Sequence, residues 1–315
     1  LTYTSASGSF AENTLLGRSR MANDGRYESI FRPRLFDSEV HIVTGGGSGI
    51  GRCTAHELAS LGATVVLIGR KEAKLDEVVS EIAADGGKSE RAVADIRDED
   101  AVKALVADIV ARHGRIHGLV NNAGGQFPSP LMFINKKGFD AVVSTNLTGG
   151  FLMMREVFVQ SMKEHGGAIV NMAADMWNGM PGMGHSGAAR AGMINLTKTA
   201  AFEWAFAGVR VNCVAPGWIA SSGLDRYEGP TKALIPQLKN HVPLRRLGTE
   251  AEVSAAICFL LSPGAAFITG VTLAIDGGAP LGNALAEMGD SKPAPEFQGF
   301  HRARTPAALS SDEEV

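Results

Sequence analysis

Little in this chain points to a disulfide framework, a membrane or a polyanion. Its three cysteines, Cys53, Cys213 and Cys258, are scattered through 315 residues with no CxxC or other ligand spacing. That excludes a stapled secreted scaffold and a zinc site, and it fits a reducing cytoplasm. No apolar run approaches the ~20 residues needed to span a bilayer, and the first twenty residues lack the apolar centre of a secretory signal. With 30 Lys and Arg against 33 Asp and Glu, the formal net charge is −3. Nucleic acid and anionic membranes demand a basic excess, so neither is an expected partner. Internal repeats and low-complexity blocks are also missing from the body of the chain. What remains is a cytoplasmic globular protein, 45% hydrophobic, long enough for one large domain with a sizeable core.

The two ends read differently from the middle. Residues 1–32 form an N-terminal extension whose first twenty residues are polar and aperiodic, with Met21 as the expected natural start. Residues 282–315 carry Pro293, Pro295 and Pro306 and close on "SSDEEV", the composition of a mobile tail. Within that tail "FQGFHRA", Phe297 to Ala303, is more apolar and could instead dock on a neighbour.

Between them, residues 33–281 alternate. "VHIVT" (Val40–Thr44) is a β-branched run that stops at glycines, and the next segment has helical spacing through Ile50, Thr54, Leu58 and Leu61. "ATVVLIG" gives a second strand, followed by a helix through Leu75, Val78, Val79 and Ile82 that ends at Gly86 and Gly87. The pattern continues through "SERAVAD", a helix near Asp98–Arg112, "IHGLVNNAG", a long helix over Phe139–His165 and "GAIVNMAA". It closes with a helix over Ser186–Ala207, "VRVNCVAPG", a helix near Glu250–Leu261 and "GVTLAIDGG". Strands separated by helices mean parallel pairing, because parallel neighbours need a crossover. The expected fold is α/β: one domain with a doubly wound parallel sheet, the Rossmann fold.

"TGGGSGIG" runs from Thr44 through Gly45, Gly49 and Ile50 to Gly51, directly after the first strand and opening the first helix. In that context Gly45 permits the sharp turn, Gly49 lets backbone approach a pyrophosphate, Gly51 allows close helix–strand packing, and the helix N-terminus faces negative charge. The alternative is a glycine-rich turn without a ligand. At the end of the second strand, where an NAD site offers Asp or Glu to the ribose, this chain has Gly69, Arg70 and Lys71. Basic residues there favour a 2′-phosphate, so NADP(H) is expected over NAD(H), with Arg52 either adding to that pocket or lying on the surface.

Five motifs in order, "TGGGSGIG", "AD" (Ala94-Asp95), "NNAG" (Asn121–Gly124), "NLTGG" (Asn146–Gly150) and "NCVAPGWIAS" (Asn212–Ser221), resemble the short-chain dehydrogenase/reductase family from about Val40 to Gly278. The resemblance implies that Asp95 lies at the adenine, that Asn121, Ala123 and Gly124 form the strand end beneath the cofactor, and that the backbone through Pro216, Gly217 and Ile219 holds the nicotinamide carboxamide. It also implies a homo-oligomer, a tetramer, paired through the helices near Phe139–His165 and Ser186–Ala207.

The family's usual proton device is a tyrosine four residues before a lysine, with a serine on the preceding strand end and an asparagine in the long helix. Aligning "ARAG" places Arg190 at the lysine and Ser186 at the tyrosine, with Ala173 where the serine belongs; only Asn146 survives. A serine hydroxyl cannot replace a phenol as proton donor, its pKa lying far above neutrality. Arginine can hold ribose hydroxyls or an oxyanion but does not relay a proton as lysine does. "HSGAARAG" resembles a divergent branch, the enoyl-CoA reductases; the related dienoyl-CoA reductases place an acid fifteen residues before the basic residue and a serine four before it, which here implies Asp175 and Ser186. Asp175 is a candidate acid if burial near Met172, Met176 and Trp177 raises its pKa, or else a strand-end cap. His185 is a second candidate, or else a loop residue. Trp177, Met180, Met183 and Trp218 read as walls for an alkyl or isoprenoid chain, or as core packing.

In overall texture, "YESIFRPRLF", "MWNGMPGMGHSGAARAG", "PGWIASSG" and "HVPLRRLGTE" resemble the bacterial citronellol/citronellal dehydrogenases of acyclic terpene breakdown. The resemblance implies an oxidoreductase acting on a hydrophobic small molecule, a citronellol-type alcohol or aldehyde, with a trans-2-enoyl-CoA as the alternative substrate. A reading of another class is a nucleotide-binding subunit without catalysis, which the loss of the usual serine, tyrosine and lysine together would allow.

Overall fold

The computed structural model describes residues 25–281, 288 and 291–312. Seven strands, all parallel, form one sheet in the order β3-β2-β1-β4-β5-β6-β7. They are β1 (Val40–Thr44), β2 (Thr64–Gly69), β3 (Lys88–Val93), β4 (Gly118–Asn121), β5 (Gly167–Met172), β6 (Val209–Pro216) and β7 (Thr272–Ile275). Sequence order reverses direction between β1 and β4, so the crossovers leave that point on opposite faces and open a crevice at the strands' carboxyl ends. The doubly wound α/β fold is the one expected.

Strand alternation decides which side chains feed which core. Val65 and Leu67 of β2 join an apolar cluster with Leu58, Leu75 and Ile257, whereas Val66 and Ile68 join Val102, Val106 and Met153 on the other face. Covering the first face are α1 (Gly49–Ser60), α2 (Glu72–Ala84) and the helix Glu250–Leu261; the second lies under α3 (Glu99–His113) and the long helix over residues 136–165. Local chemistry sets several helix ends. Asp98 caps α3 by accepting from Ala101 N at 3.1 Å, with acids in the first turn and Arg112 and His113 in the last, matching the helix dipole. Thr249 and Glu252 form a reciprocal capping box that starts Glu250–Leu261.

Two features depart from expectation. The long helix contains two π-turns, Ser144–Thr148 and Phe158–Met162, and the first holds Asn146. Wider turns of this kind often occur at functional sites. The flanks are also more engaged than the boundaries 33 and 281 imply. Tyr27 and Phe300 are both buried in one cluster with Cys53 and Ala251, and Arg302 pairs with Asp85 at 2.6 Å. The segment Phe297 to Ala303 therefore docks on α1 and α2 instead of hanging loose, because Phe300 covers the Arg52 guanidinium (4.9 Å) and the His56 ring (5.0 Å). Residues 1–24 of the expected extension over 1–32 and the acidic end at 313–315 lie outside the described residues. Among the described residues no helix is long and apolar enough to cross a membrane, and no cluster of His, Cys, Asp and Glu suits a metal.

Candidate active site

The crevice beside β1 and β4 holds about 290 Å³ and is floored by the glycine turn. Helix α1 begins at Gly49 with Ser48 before it, yet the Ser48 side chain makes no capping bond and no acid occupies the first turn. The first N–H groups of this helix are thus met by no cap from Ser48 and no acid of the first turn, an arrangement that suits a phosphate. Gly45 and Gly49 have φ of 68° and 59°, and a Cβ on Gly51 would lie 2.4 Å from the Gly45 carbonyl oxygen, so the turn folds directly onto the helix. Thr44 ties this turn to the next strand end. Its hydroxyl donates to Val120 O at 3.3 Å and accepts from Ala123 N at 2.9 Å, while Asn122 Nδ2 donates to Thr44 O at 2.9 Å. Ala123 and Gly124 are left presenting backbone to the crevice.

Cations line the far wall. Arg70, Lys71 and Lys74 stand beside the crevice, and among the described residues no hydrogen bond or ion pair holds their side chains, Arg70 acting only through its charge on Asp95. Opposite them Asp95 is bonded by Arg97 at 2.5 Å, and that contact, with Arg70 adding to it, holds the Asp95 carboxyl down at about 2. Arg52 was expected near this wall and is not there. It is buried, with Nε and Nη2 each 2.7 Å from the Glu81 carboxylate and Nη1 3.0 Å from Arg302 O. One residue past Gly51 is about 100° round the helix, which turns Arg52 toward α2 and the docked C-terminal segment.

The helix Gly184–Trp204 brings Ser186 and Arg190 one turn apart, both buried. Arg190 Nη1 donates to Met172 O at 2.6 Å, its Nε has no partner among the described residues, and burial lowers the guanidinium to about 10. A Cβ on Gly124 would lie 2.7 Å from both Arg190 Nη2 and Asn146 Oδ1. Only a glycine there lets both groups reach the strand end. Asn146 clasps Gly125, accepting its N–H at 3.0 Å and donating to its carbonyl at 2.8 Å. Ser186 Oγ donates to Gln126 Oε1 at 2.6 Å, and Gln126 Nε2 donates in turn to the Tyr227 hydroxyl at 3.1 Å. His185 is fully buried: its Nδ1 accepts Ser186 N–H at 2.8 Å, its ring meets Phe127 edge-on at 4.4 Å, and Nε2 has no partner.

Asn146, Ser186, His185 and Arg190 thus gather around residues 124–127, while Asp175 stands apart. Asp175 N–H donates to Pro216 O at 2.9 Å, and among the described residues nothing links its carboxylate to Ser186 or Arg190. Burial, with Asp276 adding its charge, raises the Asp175 carboxyl above its ordinary range. Pro216 ends β6, Gly217 N–H donates to Ile275 O, and Ile219 pairs with Gly248, forming the turn that closes the crevice on this side. Asn121 lies beneath, donating to Asn171 Oδ1 at 2.9 Å in a chain that runs on to Thr197. Of the apolar residues expected as walls, Trp177 and Trp218 are 44% and 38% exposed and Met180 is half-buried, whereas Met183 is packed inside. Spacing offered no route to Gln126 or Tyr227, which lie 101 residues apart.

A family model described as enoyl-(acyl carrier protein) reductase matches residues 45–280. A 3-oxoacyl-(acyl-carrier-protein) reductase of Staphylococcus aureus is 38% identical over 240 residues, 75% of this chain and 96% of its own. The peroxisomal 2,4-dienoyl-CoA reductase of Danio rerio is 33% identical over 261 residues, 82% and 87% of the two chains. Among solved structures, a citronellol catabolism dehydrogenase of Pseudomonas aeruginosa PAO1 is 63% identical with a TM-score of 0.74, covering 81% of this chain and 100% of that one.

Proposed function

Because the chain belongs to the short-chain dehydrogenase/reductase family of oxidoreductases, we propose that it is an NADP(H)-dependent enzyme interconverting a citronellol-type alcohol and its aldehyde. The observation that carries this reading is the 63% identity, across the whole of the other chain, with the Pseudomonas aeruginosa citronellol catabolism dehydrogenase. The exposed side chains of Trp177 and Trp218 suit a branched hydrocarbon chain.

When bound, the nicotinamide supplies or accepts the hydride. The uncapped start of α1 holds the pyrophosphate, Arg70 and Lys71 hold the 2′-phosphate in place of the acid an NAD site uses, and Asp95 lies at the adenine. Arg190 is still charged at neutral pH, since burial lowers it only to about 10, and its Nη2, beside Gly124, suits ribose hydroxyls or a developing alkoxide. Asn146 keeps the strand end at residues 124–125 in place. Ser186 has given its hydrogen to Gln126, so toward substrate it offers lone pairs. His185 takes a backbone N–H on Nδ1, so its neutral form carries the proton on Nε2.

Asp175 favours a second reading. It stands fifteen residues before Arg190 with its carboxyl raised by burial, a position that suits protonation of the α-carbon in reduction of a trans-2-enoyl-CoA. The three free, buried cysteines support a cytoplasmic location, and the exposed Phe202, Phe206 and Val159 support a homo-oligomer, a tetramer, built on the helices that carry them. Initial rates separate the readings: NADPH and NADH with citronellal, NADP⁺ with citronellol, and NADPH with crotonyl-CoA and a longer enoyl-CoA. Turnover of the terpenoid pair with NADPH preferred is expected. Turnover of the enoyl-CoA alone selects the second reading, and nucleotide binding without any turnover selects a subunit without catalysis.

A further inference from the structure

The helix position that faces the substrate carries a serine, yet a phenol stands two hydrogen bonds away. Tyr227 directly follows the turn Leu224–Arg226, next in sequence to Arg226, which lines the crevice with Ser221 and Ser222. Its ring packs against a cluster of Leu224, Ile235, Leu247 and Ala308. Only its hydroxyl meets the site, through Gln126.

The bonds run in one direction. Ser186 Oγ–H donates to Gln126 Oε1, which turns the amide nitrogen outward, and that nitrogen donates to the Tyr227 oxygen. Tyr227 therefore accepts from Gln126 and keeps its own hydrogen, and among the described residues no acceptor takes it. A phenol has an ordinary pKa near 10, within the range that serves a neutral-pH acid, whereas a serine hydroxyl lies far above it. Both hydroxyls meet at Gln126, two residues past Gly124, Ser186 at 2.6 Å and Tyr227 at 3.1 Å.

We propose that Tyr227 is the catalytic residue that donates the proton to the substrate oxygen, with Gln126 and Ser186 as positioning residues that aim its hydroxyl. This rests on the oxidoreductase reading above. In the reducing direction hydride from the dihydronicotinamide bonds to the carbonyl carbon, and the C=O π pair moves onto oxygen. That oxygen takes the Tyr227 proton as the phenol O–H breaks. The phenolate, held by the Gln126 N–H, recovers a proton from water, to which the half-buried Tyr227 has access. Oxidation runs the same steps in reverse.

The test compares wild type, Tyr227→Phe and Gln126→Leu on citronellal with NADPH, reading kcat, KM, the pH profile and, separately, NADPH affinity by fluorescence titration. Phenylalanine keeps the ring in its cluster, so folding and NADPH affinity should hold. Its kcat should fall about 100-fold, the usual size of a lost general acid, with KM nearly constant and the alkaline limb of the reduction profile gone. Gln126→Leu should lower kcat by about tenfold and move that limb, a readout that a merely structural role would leave in place. Tyr227→Phe turning over within threefold of wild type, on an unchanged pH profile, would overturn the proposal and leave the oxidoreductase reading standing. A wild-type enzyme that binds NADPH and reduces no carbonyl would remove both.

Discussion

Along the crevice, among the described residues, the side chains of Arg70, Lys71 and Lys74 hold no hydrogen bond or ion pair, while around residues 124–127 Ser186, Asn146 and Arg190 are each already bonded to protein. Backbone geometry builds the first, through the positive φ of Gly45 and Gly49 and the close approach at Gly51. The bonded end is a set of side chains that orient one another, so its chemistry depends on long-range contacts rather than on a motif. One end can thus follow a local sequence pattern while the other is set by contacts between distant segments.

Substitutions can separate the two ends. Gly51→Ala should do the most damage to the cofactor end: its Cβ meets the Gly45 carbonyl oxygen at 2.4 Å, a backbone atom that cannot swing aside. Overpacking of about 1–3 kcal/mol at the turn should weaken NADPH binding by up to about 100-fold, measured by titration. Gly124→Ala strikes the seam, where the new Cβ would sit 2.7 Å from Arg190 Nη2 and Asn146 Oδ1. These are side-chain ends that can give a little, so kcat should fall about 30-fold with NADPH affinity changed less. If affinity fell as far as turnover, the two ends would not be separable.

Smaller effects refine the charge argument. Replacing Arg70 and Lys71 together by Ala should weaken NADPH about tenfold and leave NADH within twofold, a selectivity read from paired titrations. Glu250 gives a pH test at the same end, because its Oε1 lies 3.8 Å from where a Gly49 Cβ would sit and burial raises its carboxyl from 4.5 to about 7. A raised carboxyl favours the folded state while protonated. Its contribution is complete below pH 4.5 and is lost as pH rises through 7. Glu250→Gln should therefore match wild type in Tm near pH 4.5 and exceed it above pH 7. NADPH affinity should drop a few-fold in wild type over that range and stay flat in the variant.

Alternation of β-branched runs with helical spacing was enough to reach the parallel sheet, and TGGGSGIG, read between a strand and a helix, was enough to find the crevice. The helix Glu250–Leu261 begins where Thr249 and Glu252 cap it, a local signal. Rotation about a helix was harder to read: Arg52 follows Gly51 in sequence but faces Glu81 and Phe300. Composition misled at the C-terminus, where prolines suggested a loose tail yet Phe300 is 1% exposed. The link from Ser186 through Gln126 to Tyr227 joins three separate segments, and only the folded chain brings them together.

The most direct measurement uses citral, an unsaturated terpenoid aldehyde that offers both a carbonyl carbon and a conjugated β-carbon. Purified protein is incubated with NADPH deuterated at the transferred position, and the product is located by mass spectrometry. Deuterium on the carbinol carbon is the predicted result, for an enzyme whose altered site still handles an alcohol oxygen. Deuterium on the β-carbon, or none in any product, would contradict it.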